Sequence, residues 1–179
     1  MVIVAFLLHR HNASPLSTKK IQILMHDPAR LHPDPFVEQS YVGCSIRLPL
    51  ECEPAKYYTG GMMAARSPNL NMSISTNEWD GDKTLAFEPY VIDKRNWDLG
   101  PAFNPVVLEE GFATLDGHRA YSLTCNTDDG PAHRVTARHV YVEGNNGKIY
   151  GLYFACSVDQ WNNYADIIDS SIASFHMLK

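Results

Sequence analysis

The sequence lacks a C-x-x-C pair among its four cysteines, Cys44, Cys52, Cys125 and Cys156. That removes the spacing on which zinc ribbons and thioredoxin-like redox centres rest. It has no G-x-S-x-G elbow, no glycine-rich phosphate loop and no EF-hand loop, so the usual signatures of serine hydrolases, nucleotide sites and calcium sites are missing. Basic residues are not in excess. Fifteen Lys and Arg against 20 Asp and Glu give a formal charge of −5, the wrong sign for general nucleic-acid binding, which must replace phosphate counterions. The apolar run at the N-terminus, "VIVAFLL", has seven residues, far short of the roughly 20 that span a bilayer as a helix. No internal repeat is visible, and no low-complexity stretch beyond a proline-rich arm.

What is present fits one domain of 179 residues with an ordinary apolar content of 45% and charged content of 20%, enough to bury a core without staples. An even cysteine count suits two disulfides in an oxidising compartment, with Cys44–Cys52 and Cys125–Cys156 as the pairs, or four buried thiols acting as small hydrophobes. "VIVAFLL" has no Lys or Arg before it, and "HRHNASPLSTKK" follows as a polar linker. It reads as a truncated export or anchoring segment, with a first strand or a tail as the other readings. This leans towards an exported or anchored protein whose membrane contact is confined to that segment. "HDPARLHPDPFVEQ" carries three prolines and little periodicity. Residues 1–37 are therefore expected to form an extended arm, and residues 38–179 the domain.

Within the domain, "YVGCSIRLPL" alternates, with Val42, Cys44, Ile46 and Leu48 on one side, and predicts a half-buried strand. "GGMMAARSPNLNMSISTNEW" predicts two strands around a Ser67-Pro68-Asn69 turn. "FEPYVIDKRNWD" predicts a short helix with Pro89 in its first turn, stopped by Gly100-Pro101. "PVVLEEGFATLDG" and "HRAYSLTCNT" predict a hairpin about Asp116-Gly117. A second hairpin turns at Asn145-Asn146-Gly147, with Gly144 opposite Lys148 and Gly147 left-handed. That register places Val140 and Val142 on the face of Tyr150, Leu152, Phe154 and Cys156, and His139, Tyr141, Ile149 and Tyr153 on the other. "SVDQWNNYADIIDSSIASF" predicts a closing helix with a Ser157/Gln160 capping box and a stripe of Trp161, Tyr164, Ile168, Ile172 and Phe175 that lies on the sheet. The class is α+β with an antiparallel sheet.

The order of these features resembles the PsbP-like superfamily, which includes PsbP of the oxygen-evolving complex, the Ran-binding factors of Mog type and bacterial lipoproteins such as LpqN and DcrB. "YVGCSIRLP" looks like the family's opening strand closing on a proline. "HVYVEGNNGKIYGLYFAC" is similar to its late hairpin, and "WNNYADIIDSSIASF" to its closing helix. The resemblance covers about Tyr41 to Phe175. After the opening proline the family often has Gly-Trp, where this chain has "PLECEP". The resemblance implies an α/β/α sandwich and a non-enzymatic binding or assembly-assisting role with a protein partner: photosystem II for PsbP, a small GTPase for the Mog type. It carries over no catalytic residue and no cofactor, and no residue here matches either partner surface.

The reactive side chains are weighed on the same register. His139, Tyr141 and Tyr153 share the face away from the closing helix and, with Arg134 and Arg138 along the hairpin, form the predicted binding surface. The aromatic patch is expected to lie under the middle helix, because a sandwich needs that face filled. Arg134 and Arg138 also suit a solubilised sheet edge. No metal site is predicted. The nearest approach to a ligand set is His133, His139, Cys125 and Asp128 with Asp129, whose spacing is not a known ligand pattern. Glu109 and Glu110 point to opposite faces and cannot act as a pair. The alternative to a binding module is a small metal-binding protein or enzyme using His118, His133, His139 or Cys125.

Overall fold

The computed structural model describes residues 15–38, 43–54, 62–77, 86–130 and 133–178. Among these the chain runs β1 (Phe36–Glu38), β2 (Cys44–Ile46), β3 (Glu53–Pro54), β4 (Met62–Arg66), β5 (Leu70–Thr76), α1 (Phe87–Asp98), β6 (Val106–Leu115), β7 (His118–Asp128), β8 (Arg134–Glu143), β9 (Ile149–Ser157), α2 (Trp161–Ala173) and β10 (His176–Met177). Strands β3 to β9 form a seven-stranded antiparallel sheet in the order β3-β4-β5-β9-β8-β7-β6, and β1, β2 and β10 form a small second sheet. The architecture is the α+β sandwich read from the sequence.

The two predicted hairpins close as their turn residues require. Asp116 and Gly117 both take positive φ, 51° and 78°, the pattern of a two-residue type I′ turn. Gly144 donates its N–H to the Lys148 carbonyl at 2.8 Å, and Gly147 sits at φ 76°. Val142 lies opposite Tyr150, Val140 opposite Leu152 and His139 opposite Tyr153. Side-chain alternation then gives the sheet two different faces. One carries Val140, Val142, Leu152, Phe154, Met72 and Ile74, all buried, and packs with Ile167, Ile168 and Ile172 of α2 and with Phe175 just after it. The other carries Tyr121, Leu123, Tyr141 and Ile149, which pack with Phe87, Tyr90 and Val91 of α1.

Each helix end differs in one respect from its sequence reading or confirms it. Helix α1 stops at Asp98 before Gly100 and Pro101, as its stop residues dictate. Helix α2 is entered through a single 3-10 turn, Val158–Gln160, and the Ser157 side chain makes no capping bond. The tighter turn satisfies the first backbone groups without the capping box. Likewise the "YVGCSIRLPL" strand is shorter than its alternation implied. Among its described residues, 43–50, only Cys44–Ile46 is strand, and Ser45 is buried along with its neighbours, because β2 is the middle strand of the small sheet and pairs on both sides. Tyr41 and Val42 lie outside the described residues, as does the N-terminal apolar run.

Residues 15–35 lie on the domain as extended chain broken by one 3-10 turn, Pro28–Arg30. Leu16 packs with the α1 cluster. The chain then crosses the β6 edge, where the Phe112 N–H donates to the Lys19 carbonyl and the Ile21 N–H to the Phe112 carbonyl, both at 2.7 Å. It continues over the other face, where Ile23 packs with the α2 cluster, and the His26 and Asp27 N–H groups donate to the Ser170 hydroxyl at 2.9 Å each. Leu31 is buried. The segment is a strap around an edge strand, and such cover blunts a template for unwanted pairing.

The four cysteines are buried free thiols, the second of the two readings left open by the sequence, and neither Cys44–Cys52 nor Cys125–Cys156 is bridged. The Cys125–Cys156 bridge fails on topology. Strand β8 lies between their strands. Cys125 is opposite Ala137 and Cys156 opposite Thr136, so the two thiols point to different faces. Burial pushes the Cys52 thiol up to about 12 and those of Cys125 and Cys156 to about 11, and the thiolate is the reactive form. Titration of unreduced protein at pH 8 is expected to find none of these thiols reacting rapidly in the folded state and four after denaturation.

A second prediction concerns the strap. A Cβ built on Gly111 would lie 2.2 Å from the Lys19 carbonyl oxygen, a backbone atom that cannot rotate away. Gly111→Ala is expected to lower stability by about 1–3 kcal/mol, in the range for overpacking, and to speed tryptic cleavage at Lys19-Lys20. Unchanged denaturation and cleavage would show that the strap does not depend on this contact.

Candidate binding face

Among the described residues, the face of the large sheet opposite α2 is only partly covered. Reading across it, Leu123, His139, Tyr153, Ser73 and Ala64 form one row, and Tyr121, Tyr141, Gly151, Ser75 and Met62 the next. Helix α1 covers the β7–β8 end of these rows. Beyond Tyr153 the side chains become small. Ala64, Ser73 and Ser75 are half-buried and Asn71 is exposed. A cleft of about 1040 Å³ opens there, with Tyr153, Ser73, Asn71 and Ala64 on its floor and Glu53 and Arg66 on its rim.

Helix α1 is fixed by polar clamps as well as by its apolar residues. Arg95 makes two hydrogen bonds to the Glu110 carboxylate, at 2.6 and 2.8 Å, and the Tyr121 hydroxyl donates to the same carboxylate at 2.8 Å. The bond from Arg95 holds the Glu110 carboxyl below its ordinary range. At the C-terminal end of α1 the Asp98 carboxylate accepts from the Tyr141 hydroxyl at 2.8 Å and lies 3.2 Å from His139 Nδ1. A carboxylate is disfavoured at that end of a helix dipole, so its two sheet partners are what retain it.

Beside this clamp lies a smaller cleft of about 170 Å³, between the end of α1, the turn Pro101–Phe103 and the near ends of β7 and β8. Trp97, Phe103, His139 and Tyr153 line it together with Asp98, Asp128 and Asp129. Tyr153 lines both clefts and meets the His139 ring edge-on at 5.0 Å between centroids. Burial lowers the pKa of His139, with Asp98 pulling the other way. Burial, with the nearby negative charges of Asp129 and Asp98, pushes the Tyr153 phenol up to about 12. At neutral pH the Tyr153 phenol and the Cys125 thiol thus stay protonated, the form that suits contact and hydrogen bonding, since the nucleophile is the thiolate or phenolate.

The structure brings His139, Tyr153 and Asp128 to this region and separates the other predicted residues. Tyr141 lies beneath α1, edge-on to Tyr90 at 6.1 Å, as expected of the whole aromatic patch, whereas Tyr153 is only half-buried and lines both clefts. Arg134 sits at the rim, bonded to Asp128 at 2.6 Å and to the Asn104 carbonyl at 3.3 Å. Arg138 is on the opposite face of the sheet. It is buried against α2, bonded to Asp169 and Thr124, with Trp161 5.4 Å from its guanidinium. It therefore cannot join His139 in one surface, for the parity that separates neighbouring strand residues. Cys125 is buried on the α1 face. His133 is exposed on the β7–β8 turn, 3.7 Å from Asp129. Among the described residues no three His, Cys, Asp or Glu side chains gather as a metal-ligand group. Sequence reading missed Trp97, Asp98 and Phe103. Asp98 carried a signal, an acid on the last turn of a predicted helix. Trp97 and Phe103 carried none.

A pH dependence follows from His139. The unfolded side chain takes a proton near pH 6.5, and the folded one resists it. Stability is therefore full above that pH and is lost as the pH falls through it towards the lower folded value. Denaturation midpoints are expected to drop between about pH 7 and pH 5 and to do so less in His139→Gln. The loss tied to Glu110 sets in only at lower pH, in the carboxylate range. An unchanged slope in His139→Gln would mean that His139 is not held neutral.

No family model matches the chain, and no curated protein matches it in sequence. Solved structures do match. The chain is similar to cyanobacterial PsbP from Synechocystis sp. PCC 6803, with 17% identity over 80% of this chain and 91% of that one, TM-score 0.51. It is similar to the Ran-binding protein Mog1p of Saccharomyces cerevisiae, with 9% identity over 82% and 96%, TM-score 0.57. A protein of unknown function from Pseudomonas aeruginosa, described as a putative regulator, matches at 12% identity over 79% and 94%, TM-score 0.51. Both the order of elements and these likenesses make the fold PsbP/Mog1-like.

Proposed function

We propose that this chain is a non-catalytic protein-binding or accessory module, and that its partner docks on the open half of the sheet beside α1. The observation that carries the reading is the asymmetric cover of the sheet. Helix α2 closes one face, whereas α1 closes only part of the other and leaves a floor of Ala64, Asn71, Ser73 and Tyr153 beside a cleft of about 1040 Å³. A floor of small side chains lets another chain approach the sheet closely, with Tyr153 as an amphipathic anchor at its edge. The protonated phenol of Tyr153 and thiol of Cys125 support a contact role over a nucleophilic one. The likeness to Mog1p, a Ran-binding protein, and to PsbP supports a protein partner as the ligand class. In this reading residues 38–179 supply the docking unit, and residues 1–37 the arm whose later part straps it.

The test is site-specific photo-crosslinking in the cells that make the protein. A photoreactive residue at Ser73 is expected to give one defined protein adduct, and the same residue at Leu24, exposed on the strap, is expected not to. Ser73→Arg should remove the native complex while leaving thermal stability within about 0.5 kcal/mol, as for surface changes. Equal adducts from both positions, or none from Ser73, would place the docking surface elsewhere or remove it.

A further inference from the structure

We infer that the smaller cleft is a receptor for one arginine side chain of the docking partner. This deepens the docking reading and rests on it, since Tyr153 is shared by the two clefts.

Three observations point to a guanidinium. The walls are aromatic: Trp97, Phe103, His139 and Tyr153 line one small space. The Trp97 side of the cleft is open, since Trp97 is 68% exposed, and its ring is tilted at 57° to Phe103 with centroids 6.2 Å apart. An exposed indole beside a cleft is the preferred surface for a stacked cation, and arginine stacks better than lysine because its head group is planar. The polar groups are carboxylates. Asp98, Asp128 and Asp129 all line the cleft. Asp98 is held by Tyr141 and His139, and Asp128 by Arg134. Asp129 projects outward at the mouth with His133 3.7 Å away, and both side chains are more than half exposed. The Arg134–Asp128 bond already shows a guanidinium accepted at the rim.

Size and charge agree. A space of about 170 Å³ is well below the roughly 300–1,000 Å³ of sites that enclose a drug-sized ligand. It suits the end of one side chain. Burial keeps the His139 imidazole uncharged, so the wall does not repel a cation. An anionic side chain would meet Asp98, Asp128 and Asp129 as like charges here, which is costly.

The probe is a blocked Gly-Arg-Gly peptide added to the full-length protein, followed by the NMR signals of the Trp97 indole N–H and the His139 ring. Saturable shifts at both are expected at millimolar peptide. Gly-citrulline-Gly, the neutral isostere, should bind at least fivefold more weakly at equal ionic strength. Trp97→Ala and Asp129→Asn, both at exposed positions, should each weaken arginine binding at least threefold. Citrulline binding as tightly as arginine, no saturation at either reporter, or indifference to both substitutions would overturn the inference. If the arginine probe fails while the Ser73 adduct persists, the pocket assignment falls and the docking face stands. If the Ser73 adduct is also absent, the docking face falls with it.

Discussion

The register of β8 against β9 is the constraint on which the rest of the molecule depends. These strands lie at the centre of the seven-stranded sheet, so their pairing decides which face every neighbour presents. Gly144 opposite Lys148, with Gly147 in the left-handed region, sends Val140, Val142, Leu152 and Phe154 to α2 and His139, Tyr141 and Tyr153 to α1. A slip of one residue would carry the aromatic set to the other face. It would also strand Arg138. In the native register its guanidinium meets Asp169 and Thr124 under Trp161; in any other it would be a buried charge without its partner, which costs about 3–5 kcal/mol.

The two helices then do different jobs. Helix α2 contributes Ile167, Ile168 and Ile172, and the residues after it add Phe175, each at most 1% exposed. At about 1.5–3 kcal/mol for each such side chain, it is the main apolar cohesion of the domain. Helix α1 buries fewer residues, Phe87, Tyr90 and Val91, and adds directional bonds from Arg95 and Asp98. Net hydrogen-bond contributions run nearer 0.5–1.5 kcal/mol, or about 1.5–3 where a charge is involved. Those bonds set where α1 sits more than how strongly the domain holds together. Placing α1 at the β7–β8 end leaves the β4–β5 end of the same face without cover from α1 or from any other helix among the described residues. The open floor and the aromatic, acidic cleft beside it are two consequences of that one placement.

The elements themselves were legible. Hairpin turns were fixed by Asp116-Gly117 and Asn145-Asn146-Gly147, where the required backbone angles limit the residue types. The α2 stripe was legible because its burial follows a 3.6-residue period, and α1 because Pro89 and Gly100-Pro101 mark its ends. The site was legible in part. Strand parity put His139 with Tyr153 and removed Cys156, yet the same parity should have removed Arg138 from the surface list. Trp97, inside the predicted helix, and Phe103, after its Gly100-Pro101 stop, carried no local sign of a site. Their meeting with His139 depends on how the end of α1 docks, a matter of long-range contact with no local trace.

The sequence by itself determined the class, the two hairpins, the central register and the closing helix, because turn stereochemistry and the 2.0 and 3.6 periodicities act over a few residues. Only the tertiary structure decided strand order, and with it that β8 separates Cys125 from Cys156. It also decided that the strap passes from one face to the other at Gly111, and that α1 stops short of covering Tyr153. Each of these is set by contacts between residues far apart in the chain, where closeness is chosen by packing and pairing across the whole sheet rather than by any local preference.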